Sequence, residues 1–139
     1  MTPRIDALFV YGTLMRVASA WPIGRAERER LARESDWLGP ASLRARLYDL
    51  GDYPGVVLSE TAGDVVHGEV VRLADPDHSF RWLDAYESIV PGDPDASEYV
   101  RAVVPVTLAD GSVREAWTYL YNRDLSSLRP FFAGRWLER

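Results

Sequence analysis

The chain has 139 residues with neither lysine nor cysteine, and all sixteen of its basic residues are arginine. Absence of lysine removes the Schiff-base amine, the anchor for pyridoxal phosphate and the P-loop lysine. Absence of cysteine removes the thiolate nucleophile, the disulfide and the thiolate-held metal. Imidazole is scarce, with only His67 and His78. Neither belongs to an H-E-x-x-H pair, and there is no G-x-S-x-G elbow or G-x-G-x-x-G loop, so zinc-peptidase, α/β-hydrolase and dinucleotide-binding readings have no support. Chemistry is left to carboxylates, hydroxyls, arginine and backbone amides. A formal net charge of -5 works against a surface that tracks phosphates, because nucleic-acid binding needs clustered cations. Long apolar runs are missing as well. Ala7 to Val10 is too short for a signal-peptide core, and no stretch approaches the ~20 residues of a bilayer span. These absences lead us to expect a cytoplasmic protein whose partner is a small molecule rather than nucleic acid or membrane, with the oligomeric state left open.

The composition that remains, 47% hydrophobic and 27% charged, is that of an ordinary globular chain, and a single domain over residues 1–139 is expected. Ile5 to Tyr11 reads as a buried strand that Gly12 ends at once. Arg25 to Ser35 reads as a helix stopped by Gly39-Pro40, with Arg25, Arg28, Arg30 and Arg33 interleaved with Glu27, Glu29 and Glu34 on a solvated mixed-charge face. Ser42 to Leu50 alternates as a strand with one wet face. Val56 to Ser59 and Val65 to Leu73 read as two more strands, joined in a hairpin by the turn formers Thr61-Ala62-Gly63-Asp64. Asp75-Pro76 supplies an N-cap and first helical position for a helix reaching Tyr86 or Glu87. That capping explains Asp75 and Asp77 beside His78 without any metal. Tyr99 to Leu108 and Val113 to Tyr121 flank the turn signal Asp110-Gly111, and Pro105 confines the first of them to an edge or a bulge. Val90 to Ala96 reads as a flexible insert. Two helices in a hairpin-rich order predict an α+β fold with a small, mixed, mostly antiparallel, barrel-like sheet.

Two segments carry candidate chemistry. Helical spacing puts Glu87 on the apolar face of Phe80 and Leu83, where desolvation would raise its pKa into the range useful for acid/base work. The competing reading is that Glu87 lies just past the helix and points to water. Tyr11-Gly12-Thr13-Leu14 follows a buried strand, so its amides lack guaranteed ladder partners and can hold an anion, with Thr13 adding a hydroxyl. An ordinary turn is the alternative there. His67 reads as a structural histidine within a strand.

Together these segments resemble the gamma-glutamylcyclotransferase-like family, in particular its gamma-glutamylamine cyclotransferase branch. The resemblance rests on Phe9-Val10-Tyr11-Gly12-Thr13-Leu14, on Leu47-Tyr48-Asp49-Leu50-Gly51 with Tyr53-Pro54-Gly55, and on Val66-His67-Gly68-Glu69-Val70. It continues through Leu83-Asp84-Ala85-Tyr86-Glu87, Glu98-Tyr99-x-Arg101 and Ala116-Trp117-x-Tyr119-x-Tyr121-Asn122. The resemblance implies a small mixed barrel with a cavity at one end. It further implies that Tyr11, Gly12, Thr13 and Leu14 bind a gamma-glutamyl group and that Glu87 is the single acid/base. Gly55, Tyr99 and Tyr119 match positions that border the cavity, although a strand tyrosine equally suits the core, and Arg101 has two readings, a partner for a substrate carboxylate or for a neighbouring acid. The implied reaction needs no cofactor or metal, because the substrate's own alpha-amine attacks its gamma-carbonyl and releases 5-oxoproline with an amine or amino acid. A non-catalytic ligand binder, or an enzyme that removes a gamma-glutamyl protecting group, would share the same fold. The chain departs from the family pattern at Ser88, where glycine commonly follows the glutamate, and in the Val90 to Ala96 insert beside the implied cavity.

Overall fold

Alternation along one short strand organises the whole core. In a computed structural model, which describes residues 5–18, 21–131, 134 and 136, β1 (Ala7–Val10) is buried on both faces. Ala7 and Phe9 face one apolar cluster with Val70, Val104 and Ala116, while Leu8 and Val10 face a second with Leu31, Phe80 and Leu83. The period of two therefore puts a single strand into two cores.

Around β1 run α1 (Arg25–Glu34), β2 (Ser35–Leu43), β3 (Ala45–Asp49), β4 (Pro54–Leu58), β5 (Val66–Leu73), α2 (Pro76–Tyr86), β6 (Tyr99–Leu108), β7 (Val113–Tyr121) and β8 (Arg129–Pro130). Five strands close a barrel in the order β1-β5-β2-β6-β7. The pairings are antiparallel except where β1 meets β7, which are parallel through Leu8 and Trp117. A small sheet, β4-β3-β8, stands apart from the barrel. The first cluster packs barrel strands against this sheet through Leu47 and Val56, and the second packs them against the helices. The fold is α+β with a small mixed barrel, as the element order predicts. Among the described residues, no helix is long and apolar enough to cross a membrane.

Three expectations are corrected. Gly39-Pro40 does not stop a helix: α1 already ends at Glu34, and β2 runs straight through the pair. Gly39 takes φ 125°, open to glycine, and absorbs a bulge between Trp37 and Gly39 that would otherwise break the ladder. The hairpin expected between Val56 and Leu73 does not form either. β4 pairs back onto β3, and β5 leaves for the barrel. Asp64 turns that corner, because its carboxylate accepts from Ser59 Oγ at 2.7 Å and from Arg46 Nε of β3 at 2.9 Å. Lastly, Arg28 is not on a solvated face. It is 7% exposed, and its guanidinium donates to the carbonyls of Thr13 (2.8 Å), Trp21 (2.7 Å) and Ile23 (3.4 Å).

Strands β6 and β7 lie where their β-propensity and the Asp110-Gly111 turn put them, paired from Tyr99 with Tyr121 to Thr107 with Val113. Pro105 pairs with Glu115 on that side, and β6 meets β2 only at Thr107 and Leu108, so the missing amide faces no ladder. The 90–96 segment is closed rather than loose. Ser97 Oγ accepts from Val90 N at 2.8 Å, and Asn122 Nδ2 donates to the Pro94 carbonyl at 2.7 Å.

The buried guanidinium yields the first prediction. Arg28→Met preserves volume but strips donors from the Thr13 and Trp21 carbonyls, and leaving buried acceptors unsatisfied costs about 1–3 kcal/mol each. A lowered urea midpoint with an unchanged m-value is expected.

Candidate active site

The loop after β1 is held from two sides. Arg28 fastens the Thr13 carbonyl, and the buried carboxylate of Glu69 accepts the amides of Arg16 (2.5 Å) and Val17 (3.3 Å). Met15 N donates to the Gly12 carbonyl at 3.1 Å, closing the turn. Gly12 has no room for a side chain, since a Cβ there would lie 2.7 Å from Pro54 Cγ. Among the described residues, the backbone N–H groups of Thr13 and Leu14 have no backbone acceptor. They are therefore available to an anion or a developing oxyanion.

This loop forms one wall of a cavity of about 240 Å³. Tyr11, Gly12, Thr13 and Leu14 line it, together with Glu87, Tyr99 and Tyr119 from three other elements. Gly55 does not line it. Its neighbour Pro54 does, and Gly55 is buried behind against Leu50 and Tyr121. Tyr53, Tyr86, Ser88 and Glu98, to which the sequence assigns no role in the site, line the cavity too. Tyr53, Tyr86 and Glu98 belong to the strings Tyr53-Pro54-Gly55, Leu83-Asp84-Ala85-Tyr86-Glu87 and Glu98-Tyr99-x-Arg101, and Ser88 follows Glu87; adjacency to the named residues is the available signal.

Glu87 occupies the C-cap of α2. It does lie just past the helix, but it faces the cavity rather than bulk water. The reason is the way the helix ends. Ser88 N donates to the Ala85 carbonyl at 3.1 Å and Ile89 N to the Asp84 carbonyl at 3.0 Å. These bonds form a Schellman motif, which requires the left-handed region at Ser88, and Ser88 indeed has φ 56°. Glycine is the usual residue in such a position because it meets no Cβ penalty.

No described residue donates a side-chain hydrogen bond to the Glu87 carboxyl, and no arginine lines the cavity. Burial, followed by the charges of Glu98 and Asp84, pushes its pKa up from 4.5 to about 8. The negative end of α2, which has no basic residue in its last turn, acts in the same direction. The three deepest tyrosine hydroxyls are used elsewhere. Tyr11 donates to the Tyr119 carbonyl, Tyr99 to the Pro54 carbonyl and Tyr119 to Asp84 Oδ1, each at 2.6 Å. Burial pushes all three hydroxyls up, so they stay protonated at neutral pH. Arg101 pairs with a neighbouring acid, donating to both oxygens of Asp84 at 3.0 and 3.3 Å while stacked between Phe80 and Trp117. Asp75 caps α2 by accepting from His78 N, and no group of residues able to hold a metal occurs among the described residues.

Two predictions follow from the helix end and the carboxyl. Ser88→Gly relieves a left-handed non-glycine residue and should stabilise the fold by about 1 kcal/mol in urea titration. Glu87 binds its proton more tightly folded than unfolded, so its contribution is fully present below about pH 4.5 and is lost as pH rises to about 8. Wild type should thus fall behind Glu87→Gln across that window by at most about 1.4 kcal/mol per pH unit, and run parallel to it above. Paired urea titrations at intervals from pH 4 to 9 measure the gap.

Comparisons with known proteins give the family. Residues 8–138 match the family described as gamma-glutamyl cyclotransferase, AIG2-like. The chain is 29% identical over 133 residues to the gamma-glutamylcyclotransferase family protein YtfP of Escherichia coli K12, covering 95% of this chain and 96% of that one. A solution structure of E. coli ytfP superposes with a TM-score of 0.61 at 30% identity, over 96% of this chain and 97% of that one. Two more distant structures share the fold. A mouse AIG2-like protein has a TM-score of 0.63 at 21% identity, over 85% of this chain and 78% of that one. YkqA of Bacillus subtilis has a TM-score of 0.68 at 23% identity, over 97% of this chain but only 40% of that longer one. By sequence and by fold, the chain belongs to the gamma-glutamyl cyclotransferase, AIG2-like family.

Proposed function

We propose that this chain is a cofactor-free gamma-glutamyl cyclotransferase. The observation that carries the reading is the meeting of one carboxyl, Glu87, and one loop with amides to spare, residues 12–14, in a single cavity. The glutamyl alpha-carboxylate or the gamma-carbonyl oxygen is received by the amides of Thr13 and Leu14. Glu87, ionised, takes a proton from the alpha-ammonium. The freed amine attacks the gamma-carbon, forming the lactam C–N bond through a tetrahedral intermediate. In that intermediate the attacking nitrogen gives its second proton to water, collapse breaks the bond to the leaving nitrogen, which receives the proton from Glu87, and the released amine takes up one further proton from water, so the enzyme ends unchanged. A nucleophile carried by the substrate needs no serine, cysteine or lysine from the protein, and its intramolecular placement supplies the effective concentration.

A carboxyl with a pKa of about 8 suits both halves of this cycle, since it gives up and regains its proton near neutral pH. A salt-bridged carboxylate would be a poor acid. Nothing paired with Glu87 holds it in the ionised form.

The test is 5-oxoproline release from a panel of gamma-glutamyl amines and dipeptides. Wild type should show kcat/KM rising with pH and levelling near 8, as Glu87 ionises. Glu87→Gln should lose about 10²–10⁴-fold, the usual contribution of general acid/base catalysis. Activity that survives this substitution would remove Glu87 from the mechanism. Specific binding of these compounds without any 5-oxoproline would instead identify a ligand-binding member of the fold.

A further inference from the structure

The two loop amides that lack a backbone acceptor are aimed by different means. Thr13 N–H belongs to the peptide whose carbonyl, that of Gly12, accepts Met15 N at 3.1 Å, a bond within the turn itself. Leu14 N–H belongs to the peptide whose carbonyl, that of Thr13, accepts Arg28 Nη1 at 2.8 Å, a bond that comes from α1. A trans peptide unit is planar, so its carbonyl and its N–H point to opposite sides. Whatever holds the Thr13 carbonyl therefore also aims Leu14 N–H. Arg28 holds it from outside, since Thr13 and Leu14 line the cavity and Arg28 does not.

The guanidinium is itself fixed. Arg28 is 7% exposed, and it also reaches the carbonyls of Trp21 at 2.7 Å and Ile23 at 3.4 Å, just ahead of Gly24, where α1 begins. Gly24 packs so closely on the loop that a Cβ there would lie 2.9 Å from Thr13 Oγ1 and 2.6 Å from the Tyr86 hydroxyl. Those two hydroxyls are hydrogen-bonded to each other at 3.0 Å. One planar fork with several donors thus locks the start of α1 to the loop. Its charge acts along the same line, because a cation on the Thr13 carbonyl polarises the peptide and makes Leu14 N–H a stronger donor.

Resting on the cyclotransferase reading, we infer that Arg28 is a positioning residue for the reaction: by holding the Thr13 carbonyl outside the cavity, it aims Leu14 N–H at the gamma-carbonyl oxygen as that oxygen becomes an oxyanion. Without the guanidinium, rotation about the bonds that flank the 13–14 peptide can turn its carbonyl towards the substrate. A carbonyl in that place repels the charge that the N–H stabilises. Thr13 N–H keeps its direction, because the bond from Met15 to Gly12 does not involve Arg28. The oxyanion develops only in the transition state, so the loss falls on kcat and spares KM.

Behind the loop, Arg28 borders a second cavity of about 470 Å³, which Leu14, Leu31 and Trp37 also line. Truncation of Arg28 leaves a space there that a free guanidinium ion can enter, and this gives the test. Arg28→Ala and the volume-preserving Arg28→Met are assayed for 5-oxoproline release from a gamma-glutamyl amide that wild type turns over. Circular dichroism under the assay conditions gives the folded fraction of each. Per folded molecule, kcat should fall by about 10²-fold in both variants, with KM changed by less than about threefold. Millimolar guanidinium chloride should raise kcat of Arg28→Ala by about tenfold or more, whereas sodium chloride at equal concentration should not. Arg28→Met, whose side chain fills the space, should gain nothing. Should Arg28→Ala not fold, the split between kcat and KM in Arg28→Met decides. A loss that the folded fraction accounts for, a raised KM at unchanged kcat, no gain from guanidinium, or a gain that sodium chloride or Arg28→Met reproduces would overturn the role of Arg28 and leave the cyclotransferase reading standing. Failure of wild type to release 5-oxoproline from any gamma-glutamyl compound would overturn both.

Discussion

One constraint governs the site: a carboxyl group, that of Glu87, is held in a cavity wall without a cation beside it. An unpaired buried carboxylate is expensive, so the group keeps its proton up to about pH 8 rather than disappear into a salt bridge. The surroundings preserve that condition. The nearby hydroxyls of Tyr11, Tyr99 and Tyr119 all donate to other acceptors. A hydrogen bond from any of them would favour the ionised form and draw the pKa back down. The acid one turn earlier, Asp84, has its charge met from the far side by Arg101.

Arginine is used accordingly. Arg28 and Arg101 both lie close to the site, yet neither enters the cavity. Arg28 spreads one charge over three carbonyls and shapes the loop, and Arg101 stacks between Phe80 and Trp117 while gripping Asp84 with its fork. Both tasks need a planar guanidinium with several fixed donors, which a lysine ammonium does not provide. In these two places the absence of lysine therefore fits the structural demand. A flexible ammonium able to swing into the cavity would pair with Glu87 and remove its perturbation.

What the sequence made legible follows the range of the forces involved. Strands β6 and β7 and helix α2 were readable because local signals decide them: β-branched runs, an Asp-Gly turn, an Asp-Pro cap. The pairing of β4 was not, since Thr61 to Asp64 looks like a hairpin turn whether its ends meet or part, and the bond from Arg46 to Asp64 that accompanies the corner spans 18 residues. Arg28 was misread for a related reason. Its neighbours Glu27 and Glu29 suggest a solvated face, but the carbonyls it serves belong to a loop whose position is set by β1. Periodicity nominated Glu87, and the family resemblance supplied its connection to residues 11–14. Glu98 and Tyr53 entered by neither route, because what brings them together is a hydrogen bond between side chains 45 positions apart.

The same Schellman turn that presents Glu87 also fixes Glu98. After Ser88 reverses the chain, the 89–97 excursion is closed by the bond from Val90 N to Ser97 Oγ and by Asn122 reaching Pro94 and Ser97. Glu98 N then donates back to the Ser88 carbonyl at 3.0 Å, and Asn122 N to the Glu98 carbonyl at 2.8 Å. Ser88 and Glu98, ten positions apart in sequence, are thus joined by a backbone hydrogen bond, and both line the cavity with Glu87. In the proposed reaction the turn therefore does the positioning, and a left-handed Ser88 is tolerated because the helix end it makes sets Glu87 in the cavity wall.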